Sequence, residues 1–191
     1  MASAIAERLM TAEEFAETTD PPGMRTELVR GRIVVTPIKY TVEGMYIADI
    51  AAAVGRFVQL HDLGMVCVSS GYILGRRPDT VRGPDVSFIS RERLSERPAP
   101  LEGWYEGAPS LVVEVIRRIE TRAEVADKVA QYFAAGAERV WKVRPRQRTV
   151  TVLFRGAPAV KRRVGEVLNS ADAGFAVDGF VLGVGAILRV G

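Results

Sequence analysis

Apolar and polar positions follow two periods along this chain, and each period predicts a kind of element where it holds. Thr11-Ala-Glu-Glu14 has the spacing of a capping box and predicts a short helix that stops at the turn Asp20-Pro-Pro-Gly23. Glu27-Leu-Val and Arg32-Ile-Val-Val-Thr36 flank Arg30-Gly31 and predict a tight hairpin. From Val42 to about His61, apolar residues recur at Tyr46, Ile50, Val54, Phe57 and Val58, the stripe of one long amphipathic helix. Gly64 to Val68 and Gly71 to Leu74 are strand candidates, Gly75 to Pro84 is expected as a loop, and Val86 to Ile89 is strand-like. The charged, proline-bearing stretch from Arg91 to Ala108 is expected as a surface loop or helical turn.

A further strand is predicted over Pro109 to Ile116, and a second capping box, Thr121-Arg-Ala-Glu124, opens a helix whose stripe is Ala126, Val129, Ala130 and Phe133, ending at Gly136. Arg139 to Val143 and Thr149 to Phe154 follow as strands joined by a turn at Pro145 to Arg148, and the tail from Gly174 to Gly191 is expected as short edge strands or loops. The strand, helix, strand order from Leu111 to Val143 points to an α/β domain with a mixed sheet. Nothing along residues 1–191 marks a linker, so one domain is expected.

One position breaks the pattern. In the strand, Leu111, Val113 and Val115 face one side while Val112, Glu114 and Ile116 face the other, so Glu114 sits among apolar neighbours. A buried carboxylate must be neutralised by a raised pKa, a basic partner or a cation. Pro84-Asp85 opens the Val86 strand, and if Asp85 lies beside Glu114, a divalent metal between the two carboxylates relieves their repulsion.

Composition narrows that chemistry. One cysteine, Cys67, excludes an internal disulfide framework and a cysteine zinc cluster, and one histidine, His61, excludes a histidine-rich metal site. A metal would therefore be held by oxygens, which suits Mg2+, Mn2+ or Ca2+. The net charge of +3 permits a nucleic-acid partner without demanding one. No signal-like start or membrane-length apolar run is present, so a cytoplasmic protein that does not engage a membrane is expected.

Asp85, Glu114 and a lysine from the following helix would form a metal-dependent phosphodiesterase constellation, in which the cation acidifies a water and the lysine positions it. Lys128 is the candidate lysine, against the plainer reading that Glu124 and Lys128, spaced i,i+4, form a solvated helix pair. Lys142 is a second candidate. Trp141 reads as core rather than a base-stacking residue, Cys67 as a small buried hydrophobe, and Lys161-Arg-Arg163 as a solvated strand end more than a DNA contact.

The runs Glu27 to Pro37, Val81-Arg-Gly-Pro-Asp-Val-Ser-Phe88, Leu111-Val-Val-Glu-Val115, Asp127-Lys128 with Tyr132 and Gly136, and Val140-Trp141 with Pro145 resemble the Uma2-type restriction-endonuclease family, within the PD-(D/E)XK nuclease superfamily. The resemblance spans about residues 11 to 180. It implies a restriction-endonuclease-like mixed sheet flanked by helices, with an N-terminal helix and hairpin, and a Mg2+- or Mn2+-dependent DNA endonuclease. Because cutting both strands commonly uses two such sites and the tail offers apolar surface, a homodimer is expected. Asp85 and Glu114 match the family's metal-binding acids, Lys128 matches a lysine displaced onto the helix, and Glu27 matches an acidic residue of the hairpin that would support the site.

Departures from the family pattern leave alternatives open. Arg117-Arg118-Ile119 replaces a Ser-Pro-Ser stretch, Arg144 replaces an Asp, and Glu43 stands in place of a histidine near the long helix. Arg117 pairing with Glu114 would replace the cation by a guanidinium and leave a catalytically degenerate, DNA-binding or accessory module. Alternatively, Arg117, Arg118 and Arg122 would contact DNA phosphates. A plain interaction module that kept only the fold is the remaining reading.

Overall fold

The computed structural model describes residues 8–189. Helix α1 (Ala12–Ala16) starts on the predicted Thr11 capping box, and the hairpin pairs β1 (Met24–Val29) with β2 (Arg32–Pro37). The long helix is α2 (Thr41–Leu60), followed by β3 (Gly64–Val68), β4 (Tyr72–Gly75), β5 (Thr80–Arg82) and β6 (Val86–Ser90). After α3 (Arg91–Glu96) and β7 (Tyr105–Glu106) come β8 (Leu111–Val115), α4 (Arg122–Ala134), β9 (Arg139–Arg144) and β10 (Thr149–Phe154). The chain finishes with β11 (Ala157–Arg163), β12 (Val167–Asn169), α5 (Ser170–Ala173), β13 (Val181–Gly183) and α6 (Val184–Ile187).

Two main sheets carry the fold. One has the order β2-β1-β5-β4-β7; the other, β11-β10-β9-β8-β6-β3, is antiparallel except where β8 and β9 run parallel around α4. β8 lies inside the larger sheet and alternates as expected. Leu111, Val113 and Val115 join the core under α2 with Ile50, Val54 and Val58, while Val112 joins Val140 and Tyr132 under α4. Burying each such side chain contributes roughly 1.5–3 kcal/mol, so the two helices are held on opposite faces of the sheet by these alternating rows. Trp141 is fully buried on the α2 side, and its indole N–H donates to the Asp172 carbonyl at 2.7 Å.

Four expectations change. Gly75 to Pro84 is not all loop, because Thr80–Arg82 forms β5 between β1 and β4; its Arg82 is a buried strand residue matched to Glu27, a pairing across the sheet that local pattern does not reveal. The inner face of α4 is Val125, Lys128, Val129 and Tyr132, whereas Ala126 and Ala130 are exposed. Alanine methyls bury little area, so the larger Val125 and Tyr132 set the rotation of the helix. In the tail, Phe175, Phe180, Leu182, Val184, Ile187 and Leu188 are buried against α2 and the sheet, which removes that tail as the apolar surface for a dimer. Lys161 to Arg163 closes β11, and Arg162 is not simply solvated, since it holds the buried Asp172 at 3.1 Å.

Candidate active site

The two sheets meet where β5 of one runs through Gly83-Pro84 into β6 of the other, and the acidic residues gather at that seam. Asp85 stands just before β6. The β6–β8 register, Val86 against Val113, extended by two residues sets Pro84 opposite Val115. Proline has no N–H, so the ladder cannot continue to the Val115 carbonyl. Side chains take over there: Asp85 Oδ2 accepts the Val115 N–H at 2.7 Å, and the Lys39 ammonium donates to the Val115 carbonyl at 2.6 Å and lies 3.0 Å from Asp85 Oδ2. The imino acid thus leaves a backbone oxygen beside a carboxylate, which is a pair suited to a cation.

Glu114 projects from β8 to the α4 side, where the Tyr132 hydroxyl donates to its Oε1 at 2.8 Å and the Lys128 ammonium lies 3.5 Å away. Lys128 also lies 3.4 Å from Glu27 Oε2, so it bridges the strand glutamate and the hairpin glutamate rather than pairing with Glu124, whose carboxylate caps its own helix. Glu27 is clamped by Arg82 at 2.8 Å and the Gly83 N–H at 2.9 Å. Arg82 is in turn fixed by Gln131 at 2.9 Å.

This arrangement separates the carboxyls electrostatically. Burial, with Asp85 and Glu27 adding repulsion, pushes Glu114 up from 4.5 to about 7 against the opposing pull of Lys128 and Lys39. Burial works the same way on Glu27, but Lys128 and Arg82 outweigh it and hold that carboxyl below its usual value. For Lys128, burial disfavours the charge, yet Glu114 and Glu27 more than restore it and the ammonium is held above its usual pKa. One seam therefore holds a firmly ionised acid, a firmly charged lysine and a carboxyl poised near neutral pH, the kind of divergence that marks chemical sites.

All four predicted residues, Glu27, Asp85, Glu114 and Lys128, line one cavity of about 690 Å³, together with Lys39, Arg117 and Glu120. Arg117 does not replace a cation at Glu114; its guanidinium donates to the Pro37 carbonyl at 2.8 Å and its backbone N–H to Glu120 at 2.7 Å. Arg118 and Arg122 are exposed, and Arg122 borders a separate pocket with Lys142 and Arg144. Lys142, though level with Glu114 in the β8–β9 register, belongs to that pocket. Lys39, Arg82 and Tyr132 carry the site without having announced a role in the sequence. Of these, Arg82 and Tyr132 stand within the runs that carry the family resemblance, and Tyr132 also lies four residues beyond Lys128 on the same helix face.

Buried carboxylates and a bridging lysine thus gather beside a mixed sheet flanked by helices. The chain belongs to the Uma2 family, described as "Putative restriction endonuclease", which it matches over residues 12–178. A solved structure described as a putative nuclease belonging to DUF820 from Anabaena variabilis has the same fold, with a TM-score of 0.76 at 15% identity over 94% of this chain and 98% of the other. No curated protein matches the chain.

Proposed function

We propose that the chain is a Mg2+- or Mn2+-dependent DNA endonuclease that hydrolyses phosphodiester bonds at the seam. The observation that supports this most is the meeting of Asp85, the Val115 carbonyl, Glu114 and Lys128 at one cavity. The donor set fits the metal. Among the described residues no three His, Cys, Asp or Glu side chains form a metal cluster, but Mg2+ keeps several waters and needs only one or two carboxylates plus phosphate oxygens. Asp85, Glu114 and the Val115 carbonyl would hold the cation, which when bound would acidify water and offset charge on the phosphoryl oxygens.

The protein groups have separable roles. Tyr132 fixes the rotamer of Glu114 by its hydrogen bond. Lys128, aligned by Glu27 and Glu114, would orient the attacking water and meet the developing negative charge. The Arg82 clamp on Glu27 holds that lysine in register. Arg118 and Arg122 would take phosphates flanking the scissile one, with Lys142 and Arg144 extending the cationic surface, while Arg117 is already engaged with Pro37. A homodimer would set two such sites against the two strands of a duplex.

Purified protein incubated with supercoiled plasmid and Mg2+ or Mn2+ should nick or linearise it, and chelator should stop the reaction. Asp85→Ala should reduce cleavage by at least about a hundredfold while the protein stays folded. Cleavage by the Asp85→Ala protein at the wild-type rate would exclude this assignment. Metal-independent, salt-sensitive DNA binding with no cleavage would favour the degenerate, DNA-binding alternative instead.

A further inference from the structure

We propose that Lys39 is a tethered cation that occupies the metal position at Asp85 and the Val115 carbonyl, and that a divalent ion binds there by displacing it. The inference rests on Asp85 being a metal ligand. Lys39 lies in the three-residue connection between β2, which ends at Pro37, and α2, which begins at Thr41. Its neighbours Ile38 and Tyr40 are exposed, yet its own side chain is only 22% exposed and its ammonium reaches across to Asp85 and the Val115 carbonyl.

The geometry makes this an exchange. Asp85 Oδ2 already accepts both the Val115 N–H and the ammonium, and the Val115 carbonyl, lacking a ladder partner opposite Pro84, is taken by the same ammonium. Of these contacts, the backbone N–H is fixed by the strand, whereas a lysine head rides on a flexible four-carbon stem. Two cations on the same oxygens repel strongly in a buried site. The ion that enters must therefore move Lys39 out.

This differs from a strut that merely orients Asp85, and the two roles predict opposite signs. A strut, once removed, weakens metal binding. A competitor, once removed, strengthens it, because the free energy that held the ammonium no longer has to be given up on binding. The loss of that ammonium should at the same time destabilise the metal-free protein.

The test uses the full chain in chelator-treated buffer, titrated with Mn2+ and followed by the electron paramagnetic resonance of free Mn2+. The proteins compared are wild type, Lys39→Met, Lys39→Gln and Asp85→Asn, with thermal unfolding of each recorded without metal. Lys39→Gln keeps a donor for the Val115 carbonyl without a charge, and covers the case in which Lys39→Met does not fold. The expected result is Mn2+ binding at least about tenfold tighter in both Lys39 variants, a lower metal-free melting temperature, and loss of this binding in Asp85→Asn. Equal or weaker binding in the Lys39 variants, with wild type still binding through Asp85, overturns the exchange and leaves the metal assignment standing. Absence of binding in every protein, or binding that Asp85→Asn retains, removes the metal assignment and the exchange together.

Discussion

Replacing Glu114 by Gln in metal-free protein gives a direct measure of how the seam treats a buried carboxyl. Glu114 is 4% exposed, and its pKa is raised by burial first, then by Asp85 and Glu27, from 4.5 to about 7. Between those values the folded chain keeps a proton that the unfolded chain has released, so this group's contribution to stability falls as pH rises and levels off above about 7. At ~1.4 kcal/mol per tenfold change in proton affinity, the full penalty is about 3 kcal/mol, of which about 2 to 3 kcal/mol develops between pH 5 and 8. Glutamine keeps the acceptor for the Tyr132 hydroxyl and cannot ionise, so it carries none of this penalty. Urea unfolding of both proteins at several pH values, with chelator present, should show Glu114→Gln gaining on wild type by that amount from pH 5 to pH 8. A stability difference constant to within about 0.5 kcal/mol over that range would refute the reasoning, since the carboxyl would then titrate alike in the folded and unfolded chains.

Two more outcomes follow from the same geometry. Arg82→Met leaves buried Glu27 with Lys128 and one backbone N–H, and should cost about 3 kcal/mol, the low end for a broken buried pair, because Lys128 remains 3.4 Å away; a loss below about 1 kcal/mol in urea unfolding would mean the clamp is idle. Replacing both Arg122 and Arg144 by Ala should make the dependence of duplex affinity on salt shallower by about one to two phosphate contacts, read by fluorescence anisotropy with chelator present. An unchanged slope would take the Arg122 pocket out of the DNA surface.

What the sequence disclosed depended on whether a residue's role was set by its neighbours in the chain. Glu114 was conspicuous because the alternation of β8 is local, and the capping boxes at Thr11 and Thr121 start helices at the predicted residues. The rotation of α4 was misread because a polar Lys128 is counted on the solvent side by any apolar stripe, although its stem packs inward and its head meets two acids. Lys39 follows Ile38 in a short connection with no period, and its partners lie 46 and 76 positions away in the chain. Arg82 was hidden in a stretch whose glycines and prolines read as loop, yet three residues there suffice for a strand once β1 and β4 stand on either side.

The seam between the two sheets also bears on the order in which the protein becomes itself. Glu27 and Arg82 belong to one sheet, Glu114 to the other with Asp85 just before its strand β6, and Lys128 and Tyr132 to the helix laid over them. Contacts so distant along the chain demand large loop closures, which slow folding and are completed only as the sheets dock. A nascent chain that has formed the hairpin and α2 but not yet β8 and α4 carries Glu27 and Lys39 without their partners, and holds no partial version of the site. The cluster is thereby complete only once β8 and α4 have formed and packed, so assembly of the site coincides with docking of the two sheets.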